Sequence, residues 1–274
     1  MESVHALLAR GFPSRHPSFW VDGLKRQADH HARIQAGPVG QILRVRGADV
    51  GVILTMRSRR ADPDGRQRKI VNLSSWYVDE VHRWLAPSML KAVLSEPETI
   101  YTDLTPSDSV ERLNARLGLT LWNDGVLLVA LPFSALHRDK AGARLVGLEQ
   151  LPRDRLSGAS WTMLEDHAAM GCITAALDLD GRLRPLIFAR TRRKGLPAAR
   201  VIYADSKSDL KTAIGAVSRF LLLRGIVSLE IPARHGEHLT ASRFSRGMRP
   251  TFARGTMDPD TIDHAYSEFV LLRY

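Results

Sequence analysis

IVNLSSWYVDEVHRWLAPSMLKAVLSEPETIYTDLTPSDSVERLNARLGL, residues 70–119, switches its apolar period several times, and that alternation sets the fold. Ile70 to Val78 alternates as a strand does, with Asn72, Ser74 and Trp76 on one side and Val71, Leu73, Ser75 and Tyr77 on the other. Beyond it Leu85, Met89, Leu90, Val93 and Leu94 fall on one face of a helix. Thr99 to Leu104 is a second strand, with Tyr101 and Asp103 on one face. Thr105-Pro106-Ser107 opens a second helix, with Pro106 in its first turn, Val110, Leu113 and Leu117 inward and Gly118 at the C-cap. The unit is strand, helix, strand, helix.

Upstream, Pro17 to Gln35 reads as an amphipathic helix stopped by Gly37-Pro38, and Gln41 to Val45 and Val50 to Met56 as a hairpin across Arg46-Gly47-Ala48-Asp49. A polar loop with the turn Asp62-Pro63-Asp64-Gly65 leads into the strand at Ile70. Downstream, Val126 to Leu131 is a strand and His137 to Gly158, rich in Arg, Gly and Pro, is the best linker. The order then repeats loosely. Ser160 to Ala169 is a helix, and Cys172–Leu177, Leu186–Arg190 and Arg200–Ala204 are strands. Asp209 to Leu223 is one long helix with Leu210, Ile214, Val217, Phe220 and Leu221 inward, followed by a strand at Val227–Ile231 and a closing strand at Tyr266–Leu272. A duplication at about 150 residues is the simplest account, with independent α/β elements as the other.

The 274 residues carry 39 Lys plus Arg against 29 Asp plus Glu, a formal charge of +10, which favours anionic partners: nucleic acid, anionic lipid or a phosphate-bearing molecule or carrier. Only seven of those cations are Lys, and an excess of Arg is also what a GC-rich coding sequence yields; the cations are spread over the chain rather than gathered on one face or arm, as nucleic-acid binders usually have them. One cysteine, Cys172, excludes an intrachain disulfide and a thiolate zinc site, and reads as a buried small hydrophobe. No apolar run is long enough for a transmembrane helix and the N-terminus lacks a signal pattern, so a cytoplasmic protein is expected.

Residues 70–119 resemble the central half of a GNAT-superfamily acyltransferase domain. With the preceding helix, hairpin and strand, the resemblance covers about residues 10–133. It rests on the strand, on the loop Arg83-Trp84-Leu85-Ala86-Pro87-Ser88 of the Arg/Gln-x-x-Gly-x-Gly/Ala type, on the helix and strand after it, and on a helix ending Leu117-Gly118-Leu119. The resemblance implies an α/β fold of two GNAT-like units, each a mixed, mostly antiparallel twisted sheet flanked by helices. The first would span 1–136, a linker 137–158, and a degenerate second unit 159–274.

By the same resemblance, the activity is acyl transfer from acyl-CoA, or from a phosphopantetheine arm on an acyl carrier protein, to an amine or hydroxyl acceptor, without a metal. A strand opening into a helix points unpaired N–H groups at a phosphate. In the family such amides hold the pyrophosphate, which implies that role for Arg83, Trp84, Leu85, Ala86, Pro87 and Ser88. There the strand and its neighbour splay and admit the pantetheine arm, which places backbone near Val78 against the arm and Ser74, Tyr101 and Asp103 on the acceptor side. Ala86 adds a methyl where Gly is usual, Pro87 removes a donor, and Asn114 stands where many members carry a general-acid Tyr. Glu80, His82, Tyr101 and Asp103 are the titratable candidates, and no spacing singles one out, so no catalytic residue is assigned. A non-catalytic module that kept the fold to sense a ligand or engage a partner is the competing reading.

Other constellations are weaker. His235-Gly236-Glu237-His238 has no helical pattern to support a metal, and His30-His31 point to different helix faces. Gly-x-Gly-x-x-Gly, P-loop and Gly-x-Ser-x-Gly patterns are absent, against dinucleotide, nucleotide-hydrolysis and serine-hydrolase chemistry.

Overall fold

A computed structural model of the protein describes residues 2–61, 67–139 and 142–273; the expected turn at Asp62-Pro63-Asp64-Gly65 lies outside them. In chain order the first elements are α1 (Glu2–Gly11), α2 (Pro17–Ile34), β1 (Gly40–Val45), β2 (Ala48–Ala61), β3 (Gln67–Val78), a 3-10 helix (Glu80–Leu85), α3 (Ala86–Val93), β4 (Thr99–Asp103), α4 (Asp108–Arg116) and β5 (Thr120–Asn123). There follow β6 (Gly125–Ala130), α5 (Leu131–Ser134), β7 (Arg144–Gly147), α6 (Gly158–Ala169), β8 (Ile173–Leu179), β9 (Arg182–Arg193) and β10 (Leu196–Ala204). The last are α7 (Lys207–Thr212), α8 (Ile214–Leu222), β11 (Ser228–Ala233), β12 (Ser242–Ser245), β13 (Thr251–Arg254), β14 (Ile262–Asp263) and α9 (Glu268–Leu271). No helix among the described residues is long and apolar enough to cross a membrane.

Contacts divide the chain into two units. The first runs to Leu121 and adds Thr251–Met257 and the stretch from Tyr266; the second is Trp122–Pro250 with Asp258–Ala265. The first sheet has the order β1-β2-β3-β4-β13-β5 and the second β12-β6-β11-β10-β9-β8-β7, with β14 also on β10. Both are mixed: β3 with β4, and β10 with β11, are parallel, while the other pairs with described registers are antiparallel. β6, which the sequence places at the end of the first domain, pairs with β11 and β12, and β7, inside the expected linker, pairs with β8.

In the first unit local chemistry agrees with the sheet. Pro17 starts α2, and Gln35 ends it in the left-handed conformation. Arg46 and Gly47 both have positive φ, as a two-residue hairpin turn matching the strand twist requires. Met89, Leu90, Val93 and Leu94 bury the predicted face of α3 against Ile53, Val71, Leu73 and Tyr101. Helix α4 starts two residues later than expected, at Asp108, so Pro106 precedes it.

Two further expectations are corrected. The single helix over 209–223 is two, α7 and α8, because Asp139 accepts a hydrogen bond from the Gly215 amide at 2.8 Å and starts α8 afresh. The tail 266–272 is not a strand. It forms α9, with Glu268, Phe269, Val270 and Leu271 all buried, and a short run apolar on every side has no period by which to tell helix from strand.

Candidate active site in the first unit

β3 and β4 run parallel from Lys69↔Thr99 to Leu73↔Asp103 and then part. β2 follows β3 along its other edge as far as Val78, so the edge that opens from Ser74 onward is the one β4 leaves. At the opening, β3 carries an extra residue. Val52 opposes Tyr77 and Leu54 opposes Ser74, and Ser75 in between has φ +42°. A non-glycine residue there is strained by roughly 1–2 kcal/mol, and a bulge re-aims the side chains around it.

The opening holds a pocket of about 320 Å³ lined by Phe12, Arg15, Ser74, Ser75, Trp76, Asp103, Thr105 and Val110, among others. Two buried carboxyl groups serve it. Asp103 faces the pocket and accepts from Asn114 Nδ2 at 2.8 Å. Glu268 lies behind, fully buried; its Oε1 accepts from Thr105 Oγ1 at 2.7 Å, while Oε2 has no partner of ordinary hydrogen-bond geometry. The Glu268 amide donates to Asn72 Oδ1 at 3.3 Å, and Asn72 donates in turn to Thr102.

Burial raises the Asp103 carboxyl to about 6, against the opposing pull of its hydrogen bonds from Asn114 and Thr105. Burial likewise raises Glu268 to about 7, with the Asp103 charge adding to it, although the Ser74 and Thr105 hydroxyls favour the ionised form. Two carboxyl groups that give up their protons near neutrality, one of them in a pocket wall, can take a proton from a bound acceptor.

The residues named from the sequence are partly gathered. Ser74 and Asp103 line the same pocket. Tyr101 does not: it is buried in the core under α3, and its hydroxyl exchanges hydrogen bonds with the Glu96 backbone, accepting at 3.0 Å and donating at 3.4 Å. Val78 is buried and pairs with Gly51. Arg83, Trp84 and Leu85 are in the 3-10 helix, Arg83 largely exposed with Glu80 at 3.9 Å, and Trp84 75% exposed. Ala86, Pro87 and Ser88 form the first turn of α3, where the Ala86 amide already donates to Arg83 O. The loop thus offers one amide fewer than the sequence pattern suggested, since the Ala86 amide is engaged and Pro87 has none to give.

Glu268 was absent from the candidates because it lies 165 positions from Asp103, in a tail that reads as a closing strand. Asn114 was identified only by what it lacks; its Nδ2 donates to Asp103. Elsewhere, Glu237 of the His-Gly-Glu-His stretch is held by Lys207 and Lys211, His30 and His31 both bond the Arg57 backbone, and Cys172 is half-buried rather than buried.

No family model and no curated protein matches the chain. Solved structures do. A GCN5-related N-acetyltransferase from Anabaena variabilis matches with TM-score 0.56 at 12% identity, covering 92% of this chain and 69% of that one. A probable N-acyltransferase of Enterococcus faecalis matches with TM-score 0.54 at 9% identity, over 92% and 69%. A GCN5-related glucosamine N-acetyltransferase region of a fungal multi-domain β-N-acetylglucosaminidase gives 0.50 at 14% identity, over 92% and 36%. The fold is therefore α/β, with two mixed sheets flanked by helices. It is the GNAT-superfamily fold, over most of the chain, with the two sheets as two GNAT-like units.

Proposed function

We propose that the first unit is an acyltransferase, moving an acyl group from an acyl-CoA or carrier-borne thioester to an amine or hydroxyl. The observation that carries this reading is the parting of β3 and β4 over a pocket whose wall holds Asp103. The donor lies along the open edge of β3 past Ser75 towards Val78, with its phosphate near Arg83 and the start of α3. The acceptor enters between Phe12, Arg15 and Asp103.

Asp103, ionised, removes a proton from the acceptor nitrogen or oxygen, directly or through a water, as that atom attacks the thioester carbonyl. A C–N or C–O bond forms and the C–S bond breaks. The thiolate leaves and takes up the proton that Asp103 holds, directly or through a water, which its own basicity, pKa about 8.5, makes favourable and which returns Asp103 to its ionised form. Asn114 orients the carboxylate. Glu268, behind Ser74 and Thr105, keeps the second proton of the pair.

Isothermal titration with acetyl-CoA, a longer acyl-CoA and an acylated carrier protein tests it. Saturable binding to at least one, weakened several-fold by Arg83→Glu, is expected. No binding to any, with Arg83→Glu unchanged, sinks it. Binding without thioester consumption across mixed amines and alcohols favours the ligand-sensing module instead.

A further inference from the structure

The second unit repeats the opening, but the opening is full. β10 and β11 run parallel only from Ala198↔Ser228 to Arg200↔Glu230. β9 follows β10 along its other edge to Ala204, so the edge that β11 leaves is the one β14 takes, with Tyr203↔Asp263 and Ala204↔Ile262 antiparallel. The bulge recurs as well: Val201 opposes Phe188 and Tyr203 opposes Ile187, leaving Ile202 as the extra residue, two past the last parallel pair as Ser75 is in β3. The Ile202 carbonyl accepts from the His264 amide at 2.7 Å.

Further along, the chain meets the start of a helix, and an anion is already there. Asp260 accepts from the Ser208 amide at 2.9 Å and hydroxyl at 2.7 Å and from the Ser206 hydroxyl at 2.6 Å. Its own carbonyl accepts from the Lys207 amide at 2.6 Å. Burial would raise the Asp260 carboxyl, but these hydroxyl and amide donors and the Lys207 charge outweigh it and hold the group below the usual range.

We propose that residues 258–265 occupy, in the second unit, the place a thioester donor takes in the first: Ile262 and Asp263 stand for the extended arm on the bulged strand, and the Asp260 carboxylate for the phosphate at the helix. The inference rests on reading the first opening as the donor cleft. Its consequence is one donor per chain, bound in the first unit. The occupant is tethered, so its effective concentration exceeds that of a free competitor.

Hydrogen exchange and titration with coenzyme A test this together. In the ligand-free protein the amides of Lys207, Ser208 and His264 should exchange slowly. Asp260→Ala should speed all three by about tenfold or more, and Asp260→Asn, which keeps an acceptor oxygen, by less. Coenzyme A should bind once per chain, slow exchange over 74–78, and leave 202–208 and 260–264 unchanged. Two equivalents bound, or faster exchange over 260–264 on adding coenzyme A, would overturn the proposal. So would fast exchange of the three amides in the ligand-free protein. If coenzyme A and acyl donors bind nowhere while the three amides are slow and respond to Asp260→Ala, the acyltransferase reading fails and the self-occupied opening stands.

Discussion

The two openings end their parallel pairing on the same kind of residue, and the surroundings give it opposite uses. Asp103 closes the pairing in the first unit, where its one side-chain donor is the neutral Asn114. Glu230 closes it in the second, where Arg200 grips Oε2 at 2.9 and 2.8 Å and Arg193 reaches Oε1 at 3.1 Å. Burial without a cation pushes a carboxyl towards its protonated form and lets it exchange a proton, whereas two guanidinium groups tie a carboxyl into ion pairs. The same backbone geometry thus leaves a carboxyl without a cation in one unit and ties one into ion pairs in the other, and the proposed chemistry needs the first arrangement.

The largest expected effect separates the pair. Asp103→Asn should lower kcat/KM by about 10²- to 10⁴-fold and yet make the protein more stable at pH 8. The sign follows from the raised carboxyl. The unfolded group ionises near 3.8 and the folded one at about 6, so its burial costs stability as pH rises between those values, and the cost persists above them. Thermal melts should show the variant's advantage at pH 8 and none below pH 3.5. Glu230→Gln should do the reverse, losing about 1–3 kcal/mol by removing the carboxylate that Arg193 and Arg200 both hold. Wild-type turnover by Asp103→Asn, or stability unmoved in Glu230→Gln, breaks the comparison.

Next come the groups that tune Asp103. Glu268→Gln removes the partner that titrates near 7, so log(kcat/KM) against pH should lose its upper inflection, keep one near 6, and fall about tenfold at its plateau. Asn114→Ala deletes the bond that favours ionised Asp103, so the acid limb should move to higher pH while stability drops by about 1–3 kcal/mol. A profile that does not move in either variant would remove these residues from the proton's route.

Much of the fold was legible because period and register agree. The run from Ile70 to Leu119 shows its strand, helix, strand, helix order in apolar spacing alone, and α3 buries the face its pattern predicts. The carboxyl pair was half legible. Asp103 was one of four titratable candidates, placed on the acceptor side by its strand beside an expected opening, with no spacing to single it out. Glu268 was not among them, since nothing in Tyr266-Ser267-Glu268-Phe269 records that the segment returns to the sheet of β3 and β4. The repeat was hidden for a similar reason: Leu73 and Arg200, Asp103 and Glu230, Ser75 and Ile202 hold matching backbone positions without sharing a side chain.

The last pair of matching positions gives the smallest effect and the finest test. Ser75 sits at φ +42°, whereas Ile202, at the matching bulge, is not among the positive-φ residues. A β-branched side chain is poorly tolerated at positive φ, so Ser75→Val should cost about 1–2 kcal/mol. Ser75→Gly should fall within about 0.5 kcal/mol of wild type, since relief of strain offsets the added freedom of the unfolded chain. The two bulges therefore differ in kind: the open one holds its extra residue at positive φ in the pocket wall, and the filled one holds a β-branched residue, without positive φ, on the edge that β14 pairs. If Ser75→Val melts with wild type and also leaves donor affinity unchanged, the bulge at the first opening is not strained and the distinction between the two strands is lost.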